Sequence, residues 1–447
     1  MSGSHEVRGT PRAAMVWTWN RTVAMLLTST RQPLSGVERC PPMPAQPPPP
    51  PERPGPTAPA SGPARRSLIG AVGAGALGAA LGVRTPAAWA LPSPTRPECA
   101  AGQRPVFLGT YGNGIITCAF DTRTGALTRQ SSFSAVTDPS FLAVSPNGKV
   151  LYALDNGGRQ GAVRAFAIGA GGALTALGPA RSTGGANVTH LSVHPTGRYL
   201  LSANYGAGSV AAHTISADGS VGARTALVQH TGSGPDPGRQ EGPHAHQILT
   251  DPTGAHVFAV DLGTDKVYTY RLDPASGALR PASEVRSASG AGPRHMVFHP
   301  TAPYAYVANE LNSTVTVYAL NTATGALTRG ESLPTVPGSA ATVVRNYPAE
   351  VVISADGRFL YLSNRGHESV ARFSVTGGGA GLRLLDTVPS GGSWPRHIGL
   401  APSGTLLFAA NQYGRTVAAF TVNQDSGALT PSGAPFATSS LGCVLPV

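Results

Sequence analysis

Short apolar runs separated by small and polar residues recur from residue 105 to the end of the chain. Six separators share one pattern: Ser145-Pro-Asn-Gly-Lys-Val-Leu-Tyr, His194-Pro-Thr-Gly-Arg-Tyr-Leu-Leu, Asp251-Pro-Thr-Gly-Ala-His-Val-Phe, His299-Pro-Thr-Ala-Pro-Tyr-Ala-Tyr, Ser354-Ala-Asp-Gly-Arg-Phe-Leu-Tyr and Ala401-Pro-Ser-Gly-Thr-Leu-Leu-Phe. Proline followed by glycine makes a tight turn, and the apolar residues on either side are strand-like. These turns stand 47 to 57 residues apart, the period of a four-stranded propeller blade. A second separator occurs seven times, well formed at Thr124, Gly171, Ser276, Thr324 and Ser426 (Gly-Ala-Leu follows) and degenerate at Asp218-Gly-Ser-Val and Gly378-Gly-Ala-Gly-Leu. Each unit is therefore strand A, Pro-Gly turn, strand B, polar loop, strand C, Gly-Ala-Leu turn, strand D.

Seven second turns against six first turns leave the first unit without a strand A. It has B (Val106–Tyr111), C (Ile115–Phe120) and D (Ala126–Phe133). The apolar segment Leu441 to Val444 supplies the missing strand if the two chain ends pair, which leaves no open sheet edge. The predicted fold is an all-β, seven-bladed β-propeller over 105–447, four antiparallel strands per blade, closed by its N- and C-terminal strands. This order places strand B between Cys118 and Cys443, about 9.5 Å apart and beyond disulfide reach.

Composition changes the picture only before residue 105. Glycine (56) and proline (41) exceed the globular average, and charged residues are only 12%. Residues 1–64 are Pro-rich and expected to be disordered, with Met43 an alternative start. Arg65-Arg66, a Gly/Ala-rich apolar stretch to Val83 and Ala88-Trp89-Ala90 resemble a twin-arginine export signal over 65–90. The 17 residues from Ser67 to Val83 are at the short limit for a membrane span, so cleavage is expected, leaving no stable anchor. Residues 91–104 are a linker. The expected location is periplasmic or extracellular. Cys40 would be removed with the leader, leaving Cys99, Cys118 and Cys443, too few and too odd a set for a disulfide framework.

The net charge of +11 divides into +6 before residue 91 and +5 after it. No Lys/Arg run with interleaved aromatics appears, so no nucleic-acid partner is expected.

In an up-down blade the B–C loops and D–A crossovers share one face. They carry the unusual polar groups, including Asn309-Glu310 and the long crossovers 231–244 and 336–348. Counting five back from each first turn gives Phe141, His190, Gln247, His295, Glu350 and His397; their predecessors are Ser140, Thr189, His246, Arg294, Ala349 and Arg396. Strand A lines the central channel, so these groups converge at its mouth. Arg239, Gln240, Glu241 and His244 join them from the crossover. His244 and His246 alternate to one side, as metal ligands can, but no carboxylate ligand accompanies them, and neither metal nor cofactor is expected.

The stretch from His230 to His246, with Gly292-Pro-Arg-His, Ala308-Asn-Glu-Leu and Ser363-Asn-Arg-Gly-His, resembles the lactonase family of seven-bladed propellers. That family includes cycloisomerase-type 6-phosphogluconolactonases and 3-carboxymuconate lactonizing enzymes. The resemblance spans about 105–446 and implies carbohydrate metabolism and a small anionic lactone or sugar acid as ligand. It also implies that His190, Arg239, Glu241 and Arg294 match the positions proposed for catalysis. The residue types suit hydrolysis: Glu241 or His190 as general base, Arg294 for developing negative charge, Arg239 for a carboxylate or phosphate. His244, His246, His295, Glu310, Glu350, Arg396 and His397 complete the expected binding set. The same groups could close a muconate to a lactone, and a non-catalytic monomer binding an anionic sugar or a protein would use them too. The export signal separates the chain from 6-phosphogluconolactone, a cytosolic metabolite.

Overall fold

The computed structural model describes residues 102–338 and 345–447. The Pro-rich leader, the export signal, Met43, Cys40 and Cys99 lie outside the described residues. Seven antiparallel sheets follow one another along the chain, six with four strands and the last with a split fourth strand, Leu429–Pro431 and Phe436–Ala437. The described residues contain no α-helix, only two 3₁₀ turns at Ala170–Gly172 and Gly377–Gly379. No helix among them is long and apolar enough to cross a membrane.

The closure is as the turn count requires. Leu441–Pro446 pairs antiparallel with Gln103–Thr110, in register from Val106 opposite Pro446 to Gly109 opposite Cys443. The sheet order puts Leu441–Pro446 innermost and Asn113–Asp121 on the other side of Gln103–Thr110. Cys118 and Cys443 are both buried free thiols, and burial pushes them up to about 11 and about 12.

The two repeated turns turn out to be partners. Tyrosine at the eighth position of the first motif donates its hydroxyl to the second motif of the next blade: Tyr152 to Gly219 O (3.0 Å), Tyr306 to Gly379 O (2.9 Å) and Tyr361 to Gly427 O (2.8 Å). Each is a buried ring with a polar tip that finds its acceptor. Gly427 has φ +71, and a Cβ there would run into Phe359, so the glycine serves both the turn and the blade contact. The core lies between blades, as where Phe120 of the first meets Phe408 of the last at 5.2 Å, edge to face. Middle strands such as Val257–Asp261 are buried throughout, because a neighbouring blade covers each face.

Candidate active site

The B–C loops and D–A crossovers surround a cavity of about 570 Å³. Two rings of equivalent positions build it. One is the residue next after strand B: Tyr111, Asn156, Tyr205, Glu310, Arg365 and Gln412 line the cavity, and in the remaining blade the position is the buried Leu262. The other is the residue before the five-back position, where Ser140, Thr189, His246 and Arg396 line it. Arg239 reaches in from the long crossover.

The Asn or Asp that ends strand B is structural. Asn309 Nδ2 donates to Thr314 and Thr316 (both 2.8 Å), and Asn364 Nδ2 donates to Thr335 O (2.9 Å). Asp261 accepts from His244 N–H and Thr264 N–H and holds His230 at 2.6 Å. These contacts tie each loop to its own third strand or to the crossover beside it, and the next residue faces the cavity.

Glu310 is buried and has three guanidinium partners: Arg239 (2.5 Å), Arg365 (2.6 Å) and Arg294 (3.2 Å). Burial opposes its charge, but Arg365, Arg294 and Arg239 outweigh that and hold the carboxyl well below the usual carboxylate range. A carboxylate so held is an anchor, not a base. Arg294 is 3% exposed and also donates to Ala349 O at 2.7 Å. Burial, then Arg365 and Arg396, lower its pKa, yet a guanidinium remains charged at neutral pH. Arg396 has no carboxylate partner among the described residues; its guanidinium lies 5.2 Å over the Tyr111 ring. Four guanidinium groups against two carboxylates, Glu310 and the lining Asp138, leave the cavity positive.

One layer below, the five-back ring forms a contiguous cluster. Phe141 packs on His190 (4.2 Å) and His397 (5.5 Å), and His190 lies edge-on to His295 (5.4 Å). His295 Nδ1 lies 2.9 Å from Glu350 Oε2, and His295 Nε2 lies 3.1 Å from His246 Nδ1. His397 Nε2 is 3.3 Å from the same Glu350 oxygen. With Glu350 ionised, His295 donates to it through Nδ1 and accepts from His246 through Nε2. His246 is left with an unprotonated Nε2 and no protein partner for it among the described residues, in a side chain that lines the cavity. Burial lowers His246, His295 and His190 well below 6.5, with Arg294 adding to each. Burial raises Glu350, against the pull of His397 and Arg294. The two buried glutamates are thus driven apart, one fixed as an anion by three arginines, the other paired with the imidazoles of His295 and His397 and the Val351 N–H.

The expected site residues divide accordingly. His246, Glu310, Arg239 and Arg396 line the cavity. His295, Glu350, His397 and His190 lie beneath it, and Thr189 rather than His190 faces the space. Arg294 is outside the lining and pairs with Glu310 at 3.2 Å. Glu241 departs most from expectation: its side chain is 59% exposed, off the lining, and bonded to His244 at 3.1 Å. The arginines expected beside it close on Glu310 instead. His244 stacks on Tyr205 (4.4 Å, 14°) and holds that cavity residue in place. His244 and His246 do not share a ligand position, and no three His, Cys, Asp or Glu side chains among the described residues converge as a metal site. Arg365, Tyr111, Tyr205 and Gln412 were not among the expected residues. Aligning the loops on the strand-B Asn finds them, since Arg365 follows Asn364 as Glu310 follows Asn309.

Residues 105–446 match the family described as Lactonase, 7-bladed beta-propeller. The chain belongs to that family. Among lactonase relatives, it is 33% identical over 329 residues to the 6-phosphogluconolactonase of Bacillus subtilis, covering 72% of this chain and 93% of that one. Against the 6-phosphogluconolactonase of Formosa agariphila it is 30% identical over 336 residues, 72% and 94% of the two chains. The periplasmic gluconolactonase of Pseudomonas aeruginosa superposes with a TM-score of 0.73 at 28% identity, over 77% of this chain and 99% of that one. A putative 6-phosphogluconolactonase of Bacteroides fragilis gives 0.72 at 28%, over 78% and 99%.

Proposed function

We propose that the protein hydrolyses a small sugar lactone bearing negative charge or hydroxyl-rich polarity, outside the cytoplasm. The observation that carries this reading is the free Nε2 of His246, backed by His295 and Glu350, facing a cavity rich in guanidinium groups.

Water bound at His246 gives its proton to Nε2 as the oxygen forms a bond to the lactone carbonyl carbon. The charge left on the imidazole is shared through His295 with Glu350, which needs no proton of its own to do so. Arg396, with no carboxylate of its own, stabilises the carbonyl oxygen as it becomes anionic or holds the acidic substituent. The tetrahedral carbon then expels the ring oxygen, and His246 returns the proton to it, giving an open-chain hydroxy acid. Arg239, Arg365 and Arg294 keep Glu310 and one another in place. The names of the relatives favour ring opening over muconate closure.

The test is acid release at constant pH by purified protein, from glucono-δ-lactone and from its 6-phosphate, above the spontaneous rate. A rate no higher than background on both would leave the anion-binding reading.

Export rests on Arg65-Arg66 and Ala88-Trp89-Ala90 and is supported by the periplasmic relative. The mature chain would begin near Leu91. Changing Arg65 and Arg66 together to lysine should retain the protein in the cytoplasm; unchanged secretion would refute this route.

A further inference from the structure

Tyr413 is 63% exposed, and the only other exposed large apolar side chain among the described residues, Leu227, lies in the fourth strand of a different blade. Tyr413 does not stand alone. Its ring stacks on Trp394 (5.0 Å, 22°), and the Arg365 guanidinium lies 5.5 Å from the Trp394 ring. Tyr347 closes the group, 5.8 Å from Trp394. Arg365 itself lines the cavity and is locked to Glu310 and to Tyr347 O. A continuous stack thus runs from the buried anion of the cavity to one exposed aromatic face.

The backbone under this stack is held in an unfavourable conformation. Trp394 has φ +64, rare for a bulky residue and costing on the order of 1–3 kcal/mol. It is kept there by several contacts. Glu368 accepts the Trp394 N–H, Trp394 O accepts from Gln412 N–H (2.9 Å), and Ser393 O accepts from Gly414 N–H (3.0 Å). Gln412, adjacent to Tyr413, is another cavity residue. The positive φ and the bond from the residue after strand B recur at Asn187 (Tyr205 N–H, 2.9 Å) and Gly292 (Glu310 N–H, 2.8 Å), so this clasp belongs to the blade repeat; what is particular to this blade is the indole placed on it, against which Tyr413 stacks.

We infer that Tyr413 is the platform for a second sugar ring, so that the protein accepts aldonolactones bearing a glycosyl substituent. This rests on the lactonase reading and specifies its substrate class. A pyranose ring presents an apolar face of C–H groups and a polar edge, which suits one flat aromatic ring beside the Ser393 hydroxyl and the Glu368 carboxylate. A protein partner does not fit: an interface needs about 800 Å² per side, and the one exposed ring of this group is far smaller. The lactone ring sits in the cavity by His246, and the glycosyl group extends along the Arg365–Trp394 direction to Tyr413. No new reaction is required, because the bond opened is still the lactone ester.

Two measurements test this, and they fail separately. Trp394 is the only tryptophan after residue 90, so its fluorescence reports the platform directly. Lactobionic acid, a gluconic acid carrying a hexose, should shift that emission in the mature protein beginning near Leu91, gluconic acid should not, and Tyr413→Ala should abolish the shift. In turnover, Tyr413→Ala should raise KM for lactobionolactone about 3–10-fold, the worth of one aromatic stacking contact. It should leave glucono-δ-lactone within twofold, and Tyr413→Phe should behave as wild type. Equal effects of Tyr413→Ala on both lactones, or no fluorescence response to lactobionic acid, would overturn the platform. If no lactone is cleaved but the emission shift and its loss are both seen, the platform stands and hydrolysis is what fails.

Discussion

The Nε2 of His295 stands 3.1 Å from the Nδ1 of His246, so one hydrogen serves both nitrogens. Which ring carries it is decided one step further away, where Glu350 takes the other hydrogen of His295. A carboxylate that never touches the cavity thereby determines that the ring facing it presents a lone pair.

Glu350→Gln and His246→Gln should therefore lower kcat on a cleaved lactone about 10²–10⁴-fold, the range for a general base, with little change in KM. Glu241→Gln should stay within twofold of wild type, since that side chain is solvent-exposed and bonded to His244. Steady-state kinetics of the three variants decide the matter. A large loss in Glu241→Gln with Glu350→Gln unaffected would reverse the assignment.

The buried imidazoles make stability depend on pH. Burial, and then neighbouring charges, lower His190, His246 and His295 well below 6.5, and His397 to about 4. The unfolded chain takes up protons on these groups below pH 6.5 while the folded chain resists. Their contribution is thus complete above pH 6.5 and is lost as pH falls from there through about 4. Thermal melting followed from pH 7 downward should show Tm dropping across this window. His397→Asn should make the drop shallower.

Removing the charge of Glu310 leaves Arg239, Arg294 and Arg365 facing one another around a buried amide. Breaking a buried ion pair from one side typically costs about 3–5 kcal/mol, so Glu310→Gln should lower the denaturation midpoint by a corresponding amount. A combined change of Glu310 to Gln and Arg294 to Met should recover part of the loss, because one uncompensated charge is removed with it.

The blades, their closure and the face that bears the cavity were all legible in the sequence, for a physical reason. Turn chemistry repeats wherever blades repeat, and the position of His246 or His295 relative to a Pro-Gly turn fixes its place on the ring. The pairing of charges was not legible. Arg239 and Glu241 are two residues apart, yet only Arg239 faces the cavity, and its carboxylate comes from Glu310, a residue 71 positions away. Sequence distance carries no information about which guanidinium meets which carboxylate across a channel. The recurrent Asn or Asp of strand B is a structural clasp, as with Asn309 and Asn364, and recurrence at one blade position is what such a clasp requires.

Deleting residues 438–447 should remove the strand opposite Val106–Thr110 and replace a cooperative melt by a broad or lower transition. The same truncation should make Cys118 react with a thiol reagent under conditions where the intact protein is inert. An unchanged melt would refute the closure.

The strand that completes the first blade follows all the other blades in the chain. Until Leu441–Pro446 leaves the ribosome, the three strands from Gln103 to Thr137 wait with an open inner edge. The Tyr111 N–H also still lacks its acceptor, Ser440 O. The middle blades can form as they emerge, since domains fold in units during synthesis, but the cavity cannot. The ring therefore closes only once this strand is present: a chain that stops before Leu441 has an open first blade and no finished site. On the export reading proposed above, an exporter that accepts only a finished fold would have to wait until this one strand has emerged.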